Sequence, residues 1–397
     1  MILERGALGA SWETNEGVLI PPRSSSRGDR LDCAWDPRVV LRPGAVNAHT
    51  HLYSGLASLG MPPAKPDPEN FLQILERVWW RLDRALDARL LRASARYALA
   101  EALLCGTTTV IDHHESPSFI EGSLEVLADA ADELGVRLVV GYGATERNGG
   151  VEEGLRGLLE GDRFLNHNRR ALVRGVMALH ASFTVSDSTA REAGVLARKH
   201  GVPVHTHVAE DRADVEDSLR REYPGPLERL LRLEALPPGS IVAHGVHLSD
   251  AQVRRAEAMG LWLVQNPRSN EGNRVGYPLA LGASQQVALG TDGWVSDLEV
   301  EQAALFRLGR AHGESDAVLT ARVQGGQRLA GSFFGQRFGA IEAGCAADVV
   351  VGVPGERARH VLVAGRCVVR DGRLLTGDFE SIRAEAHEAA TELRRRM

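Results

Sequence analysis

Lysine is nearly missing from this chain of 397 residues. Only Lys65 and Lys199 occur, and arginine supplies the other 44 basic side chains. Cysteine is scarce too: Cys33, Cys105, Cys345 and Cys367 lie far apart and form no Cys-x-x-Cys pair. That spacing argues against a disulfide framework and for a reducing compartment, the cytoplasm. Positive charge is not in excess either, because the net charge is −6, so the electrostatic footprint of a nucleic-acid binder is absent. Apolar runs such as residues 348–353 are far too short to span a bilayer. Residues 1–17 carry an early acid and no apolar stretch, unlike a secretory signal. What remains is ordinary for a globular protein, 44% hydrophobic and 25% charged, and ample for a large core without staples. At roughly 150 residues per domain, the length suggests one large domain and a smaller one.

Short apolar, β-branched runs alternate with helical grammar. Residues 107–112, 136–142, 173–180, 202–207, 240–244, 261–265 and 286–292 each read as a buried strand. From Asp112 to Asp292 the runs recur about every 30 residues, the size of a strand–helix–strand unit. Ser249 and Gln252 form a capping box for a helix that stops at Gly260. Ser186 opens another helix that ends at His200 and Gly201. A further strand before His49 brings the number to eight. The predicted fold class is therefore α/β, a (β/α)8 TIM-like barrel, with a doubly wound open sheet as the alternative. The two chain ends differ: residues 17–20, 348–351, 360–363 and 366–370 are short β-type runs. We read residues 1–43 and 341–397 as a small composite β domain with an exposed C-terminal helix over 381–396, and residues 44–340 as the barrel.

Histidines cluster where such a barrel does its chemistry. His49, His180, His205, His207 and His244 all fall at or near predicted strand ends, and the C-terminal ends of the strands form the active face. A lone histidine there is usually a satisfied core or rim residue; several converging on one rim are not. His49 and His51 share one face of an extended segment because side chains alternate with period two. Two neutral imidazoles on one face make half a site for a borderline cation such as zinc, although the pair alone is a weak signal. His205 and His207 repeat the spacing, Glu210 follows, and His244, His247 and Asp292 add donors at later strand ends. A catalytic metal needs an open position for water, and a nearby carboxylate must move protons. Some barrel hydrolases bridge two metals through a carbamylated lysine on the fourth strand. Residues 174–180 hold no lysine, which points to a single metal.

Taken together, these motifs resemble the amidohydrolase superfamily, in its branch of mononuclear aminohydrolases and deaminases. The carriers are residues 43–51 (PGAVNAHTH), 205–210 (HTHVAE), 243–247 (AHGVH) and 290–293 (GTDG), in that order. Within the branch, the chain is similar to SsnA-type aminohydrolases in residues 70–83 (NFLQILERVWWRLD), 110–114 (VIDHH), 179–187 (LHASFTVSD) and 266–273 (NPRSNEGN). The resemblance covers about residues 43–351, and residues 339–350 resemble the family's return to the small domain. The departure is the N-terminal segment of about 43 residues, shorter than the family's usual one, so fewer strands are expected there.

The resemblance implies roles. His49, His51, His207 and Asp292 would bind one divalent ion, zinc by ligand type, with iron or manganese as alternatives. Alternation alone allows His205 or His207 as the third imidazole; the family's motif selects His207 and leaves His205 a buried residue. Glu210 would protonate a ring nitrogen, His244 would orient the attacking water, and Asp292 would take its proton. His180 would contact substrate. Trp79 and Trp80, on a helical segment over the barrel mouth, read equally as packing or as an aromatic wall. Asn270 and Asn273 are pocket candidates, although asparagine also simply favours turns. His113 and His114 are pocket or supporting residues, and Asp297 a helix cap. His167, His312, His360 and His387 are expected at the surface.

The function expected is hydrolytic deamination of an amino-substituted heterocycle, with a small molecule as partner, no nucleic acid or membrane, and a homodimer by family analogy. Cyclic-amide hydrolysis or chloride displacement on the same site is the nearest alternative. A metal-stabilised binding protein is the remote one, disfavoured because binding needs no proton shuttle.

Overall fold

The computed structural model describes residues 2–4, 12–20, 30–32 and 38–397; Cys33 and the remaining stretches of the N-terminal segment lie outside them. Eight parallel strands follow one another in sequence order: Ala45–Thr50, Thr107–His114, Arg137–Ala144, Met177–Ala181, Val204–Val208, Ile241–His244, Trp262–Gln265 and Val287–Leu289. Each is buried on both faces, which explains why they read as continuous apolar runs rather than as alternating ones. The fourth expected strand is split. Val173–Gly175 and Met177–Ala181 are separated at Val176, whose N–H still reaches Val140 O at 3.0 Å.

The ring closes between the eighth strand and the first. The N–H groups of Thr291 and Asp292 both donate to His49 O at 2.9 Å. The chain leaves the eighth strand at Gly290, where a Cβ would sit 2.8 Å from His49 O and 2.5 Å from Asn266 Oδ1. Only glycine fits that approach. The expected strand over 286–292 is therefore three residues long, and its last part is instead the closing turn.

Helix grammar is borne out where caps were legible. Ser249 and Gln252 form the capping box of Asp250–Ala258, and Ser186 caps Asp187–His200, which Gly201 ends in left-handed geometry. Asp297 caps Leu298–Ala311, as expected. The C-terminal helix Phe379–Arg396 is not an exposed rod. Its stripe of Ile382, Ala386, Ala389, Ala390 and Leu393 is buried, and Phe379 stacks on Tyr97 of helix Ala88–Leu104.

The chain ends build two further sheets. One is antiparallel and runs Arg373–Leu374, Arg366–Arg370, His360–Val363, Val349–Gly352, Val40–Pro43, so both ends contribute strands. The other contains Val18–Ile20, Trp12–Asn15, Ile2–Glu4 and Arg30–Asp32. His360, expected at the surface, is buried in the first of these sheets, opposite Val351 in a strand whose four residues are all buried. His167, His312 and His387 are exposed. Among the described residues no helix is long and apolar enough to cross a membrane.

Candidate active site

Three strand ends deliver the donors. His49 lies in the first strand and His51 just past it, His207 is in the fifth, and Asp292 follows the eighth. His51 Nε2 lies 2.8 Å from Asp292 Oδ1, His49 Nε2 3.6 Å from the same oxygen, and His207 Nε2 3.3 Å from His51 Nε2. One donor atom from each of the four lies within 4.8 Å of the others. The far side of every imidazole is occupied. His51 Nδ1 donates to His113 O at 2.6 Å, His207 Nδ1 donates to His180 O at 2.5 Å, and His49 Nδ1 shares a proton with His205 Nε2 across 2.9 Å. Metal-binding histidines are held in this way, with the second ring nitrogen bonded to fix tautomer and orientation.

The donor set fits a metal ion on an observation independent of motif. His49 Nε2 is buried and has no hydrogen-bond partner, which is costly in the absence of a cation. Without one, burial lowers His51 but the hydrogen bond and charge of Asp292 outweigh it and raise the imidazole to about 9, so a proton occupies the contact that a cation would take. Burial instead lowers His49 to about 3 and holds His207 well below its ordinary value.

Beside this cluster stand the groups that could move protons. Donor atoms of Glu210, His244 and Asp292 lie within 4.8 Å of one another. His244 Nε2 is 3.7 Å from Glu210 Oε2 and 3.9 Å from Asp292 Oδ2. Burial, and then the charge of Asp292, push the Glu210 carboxyl well above its usual range, so it holds a proton. The backbone is bent to aim these side chains: Ala209, His244 and Asp292 have φ of +52°, +73° and +53°. Non-glycine residues held there cost about 1–3 kcal/mol each and cluster at functional sites.

The cluster opens into a cavity. Phe71, Trp79, Trp80, Phe183 and Trp294 supply its aromatic walls. His180 lines it, with Nδ1 on Thr184 Oγ1 at 2.9 Å and Nε2 3.6 Å from Glu115 Oε2. The guanidinium of Arg147 stacks on Trp80 at 4.8 Å from the ring centre and pairs with Asp83 and Glu115 at 2.8 and 3.2 Å, which fixes that wall.

The structure brings most of the expected residues together and moves one. His49, His51, His180, His207, Glu210, His244, Trp80 and Asp292 surround one space. Asn270, expected to touch substrate, does not line it: its Oδ1 lies 2.8 Å from His244 Nδ1. The reason is helical phase. On the short helix Pro267–Gly272, Ser269 faces the cavity and Asn270 turns to the histidine. His205 is buried, with Nε2 2.9 Å from His49 Nδ1. His113 is supporting, with Nε2 donating to Leu179 O at 2.9 Å, and His114 bonds Ser116 Oγ at 2.8 Å. Sequence reasoning missed Glu115, Arg147 and Ser269. Glu115 follows directly on the second strand, a position that the rule of functional strand ends could have flagged.

The comparisons agree with this geometry. The profile described as Amidohydrolase family matches residues 40–368. The chain belongs to the amidohydrolase family. It is 28% identical to a 5'-deoxyadenosine deaminase from Methanopyrus kandleri, over 89% of this chain and 86% of the relative. It is also 28% identical to an 8-oxoguanine deaminase from Pseudomonas aeruginosa, over 90% of this chain and 88% of the relative. Its fold is that of a zinc-bound adenosine deaminase from Xanthomonas campestris, with a TM-score of 0.81, 24% identity, and coverage of 99% of this chain and 97% of the other. As an amidohydrolase, the protein is a hydrolase of carbon–nitrogen bonds other than peptide bonds.

Proposed function

We propose that this amidohydrolase removes ammonia hydrolytically from an amino-substituted heterocycle of purine, pterin or pyrimidine type. The observation that carries the reading is the convergence of Glu210, His244 and Asp292 beside the cluster of His49, His51 and His207. The names of the deaminase relatives support it. His49, His51, His207 and Asp292 would hold one divalent ion, zinc by donor type. When bound, such an ion acts as a Lewis acid and brings the pKa of water down to about 7.

The chain's own residues then handle the protons. Asp292 Oδ2 takes a proton from the attacking water as the new carbon–oxygen bond forms. Glu210, protonated at the start, gives its proton to the ring nitrogen beside that carbon, which draws charge away from it. His244 Nε2 faces both carboxylates and orients the water between them. On collapse the carbon–nitrogen bond breaks, the amine leaves as ammonia with the proton held by Asp292, and the new hydroxyl returns its proton to Glu210. Water and amine go in, carbonyl and ammonia come out, and both carboxyls regain their starting states.

The cavity wall narrows the substrate. Its aromatic faces suit a flat ring, and among the described residues no lysine or arginine lines it to pair with a phosphate. The reading is therefore of a neutral or cationic heterocycle without phosphate. His180 and Trp80 would contact it. These residues all fall in 44–340, the segment taken as the barrel domain, with 1–43 and 341–397 as the smaller unit. The wide cysteine spacing suits a reducing cytoplasm.

The test is metal analysis of the purified protein together with a release screen over aminopurines, pterins, aminopyrimidines and aminotriazines. Stoichiometric metal and ammonia are expected. A ring-opened acid or chloride in place of ammonia would replace the reading with the corresponding hydrolase, and no release from any of them would overturn it.

A further inference from the structure

One short helix supplies partners to every proton-handling side chain. Ser269 Oγ donates to Asp292 Oδ2, Asn273 Nδ2 donates to Ser269 Oγ at 3.2 Å and bonds Glu210, and Asn270 Oδ1 lies 2.8 Å from His244 Nδ1. The helix Pro267–Gly272 is clamped from outside the site. Arg268 N donates to Glu301 Oε1 at 2.8 Å, its guanidinium pairs with the same buried carboxylate, and its Nη2 donates to Val295 O at 2.7 Å. Asn270 is itself 2% exposed and has no access to the substrate cavity.

A neutral imidazole carries one N–H, and the partner of one ring nitrogen decides what the other can do. An amide oxygen only accepts, so at 2.8 Å it places the proton of His244 on Nδ1. Nε2 is then left with its lone pair. It faces Glu210 Oε2 and Asp292 Oδ2 at 3.7 and 3.9 Å, too far for direct hydrogen bonds, so its lone pair is free for a water placed beside the two carboxyls. Asn266 Nδ2 is the competing partner, 3.4 Å from Nδ1 and 3.5 Å from Nε2, and favours neither nitrogen.

We propose that Asn270 is a positioning residue: its amide oxygen locks His244 in the Nδ1–H tautomer, so that Nε2 accepts a hydrogen bond from the attacking water. The proposal rests on the deaminase reading for its kinetic consequence but not for the tautomer. Asn270 acts through His244 and touches no reacting atom.

The test compares Asn270→Asp, which keeps an oxygen at the same reach, with Asn270→Leu, which keeps the size and loses the acceptor, both in the metal-loaded protein. Asn270→Leu is expected to lower kcat by about 100-fold or more with metal content unchanged and KM within about threefold, whereas Asn270→Asp stays within about tenfold of wild type in kcat. Equal losses in the two variants would overturn the proposal. A second readout needs no turnover: long-range proton–nitrogen spectra of protein labelled in its histidine rings, with the His244 signals assigned by their loss in His244→Gln. Protonated Nδ1 is expected in the wild type and a mixture in Asn270→Leu. A wild-type spectrum with the proton on Nε2 would overturn the proposal even if Asn270→Leu fails to fold. If the wild type releases no ammonia, the deaminase reading fails while the spectrum still decides the tautomer.

Discussion

The two ends of the barrel bury charge in opposite ways. At the start of the third strand, Arg137 meets Asp348 through three hydrogen bonds of 2.9–3.1 Å, and Asp348 also accepts from Ala364 N at 2.8 Å. This buried pair ties the barrel to the sheet built from the chain ends and is fully satisfied, as burial requires. At the other end, His49 Nε2 is buried without a hydrogen bond, and His51 and His207 turn two ring nitrogens toward each other at 3.3 Å. One arrangement is closed and the other open at its centre. Closed burial serves cohesion; open burial stores the affinity that a ligand later satisfies.

That contrast can be broken by experiment, beginning with the largest effect. Removing metal with a chelator, or replacing His207 by Ala, should abolish ammonia release. The His207→Ala protein should also lose the stabilisation by added zinc, about 2.7 kcal/mol for an intact site at a hundredfold excess over Kd. A His207→Ala protein that still binds metal at full occupancy would contradict the ligand set. Glu210→Gln should lower kcat by about 10³-fold or more with metal content unchanged, since an amide cannot carry the proton; elemental analysis beside the activity assay checks it. At the closed end the signs reverse. Arg137→Ala should cost about 3–5 kcal/mol of stability by denaturant unfolding, leave a buried carboxylate unpaired, and spare metal content. Replacing Arg137 and Asp348 together by Leu should cost less than Arg137→Ala alone.

Two smaller effects sharpen the comparison. An aminopurine nucleoside should be turned over at least about tenfold better, in kcat/KM, than its 5'-phosphate, because among the described residues no lysine or arginine lines the open end to pair with the phosphate; equal rates would remove charge as a selector. Asp214 accepts from Ala209 N at 2.7 Å, yet burial pushes its carboxyl up to about 7. The folded state thus binds a proton more tightly than the unfolded chain, and stability falls as pH rises from about 4 through 7. Asp214→Asn should flatten that slope in melting curves taken across this window. An unchanged slope would assign the pH dependence to other groups.

Much of this molecule was legible before any coordinates. Strand positions followed from buried apolar runs, and the caps at Ser186, Ser249 and Asp297 from their side-chain chemistry. Less was legible where a residue's role depends on what arrives from elsewhere in the chain. The wall of Asp83, Glu115 and Arg147 joins three distant segments, and none of them carries a local pattern. Asn270 is a pocket or turn candidate from its sequence; one residue of helical phase turns it to His244 instead.

The sequence by itself determined which residue types stand at the strand ends and in what order, because strand periodicity and the strand–helix repeat are short-range properties of the chain. Tertiary structure decided which of His205 and His207, on the same face of one strand, reaches the donor cluster, and that the first and eighth strands meet, with His49 O accepting from Thr291 N and Asp292 N. It also decided that His49 Nε2 is left unpaired at one end of the barrel while Arg137 and Asp348 pair at the other. Closure and pairing depend on distances between residues more than two hundred positions apart, and no local spacing encodes them.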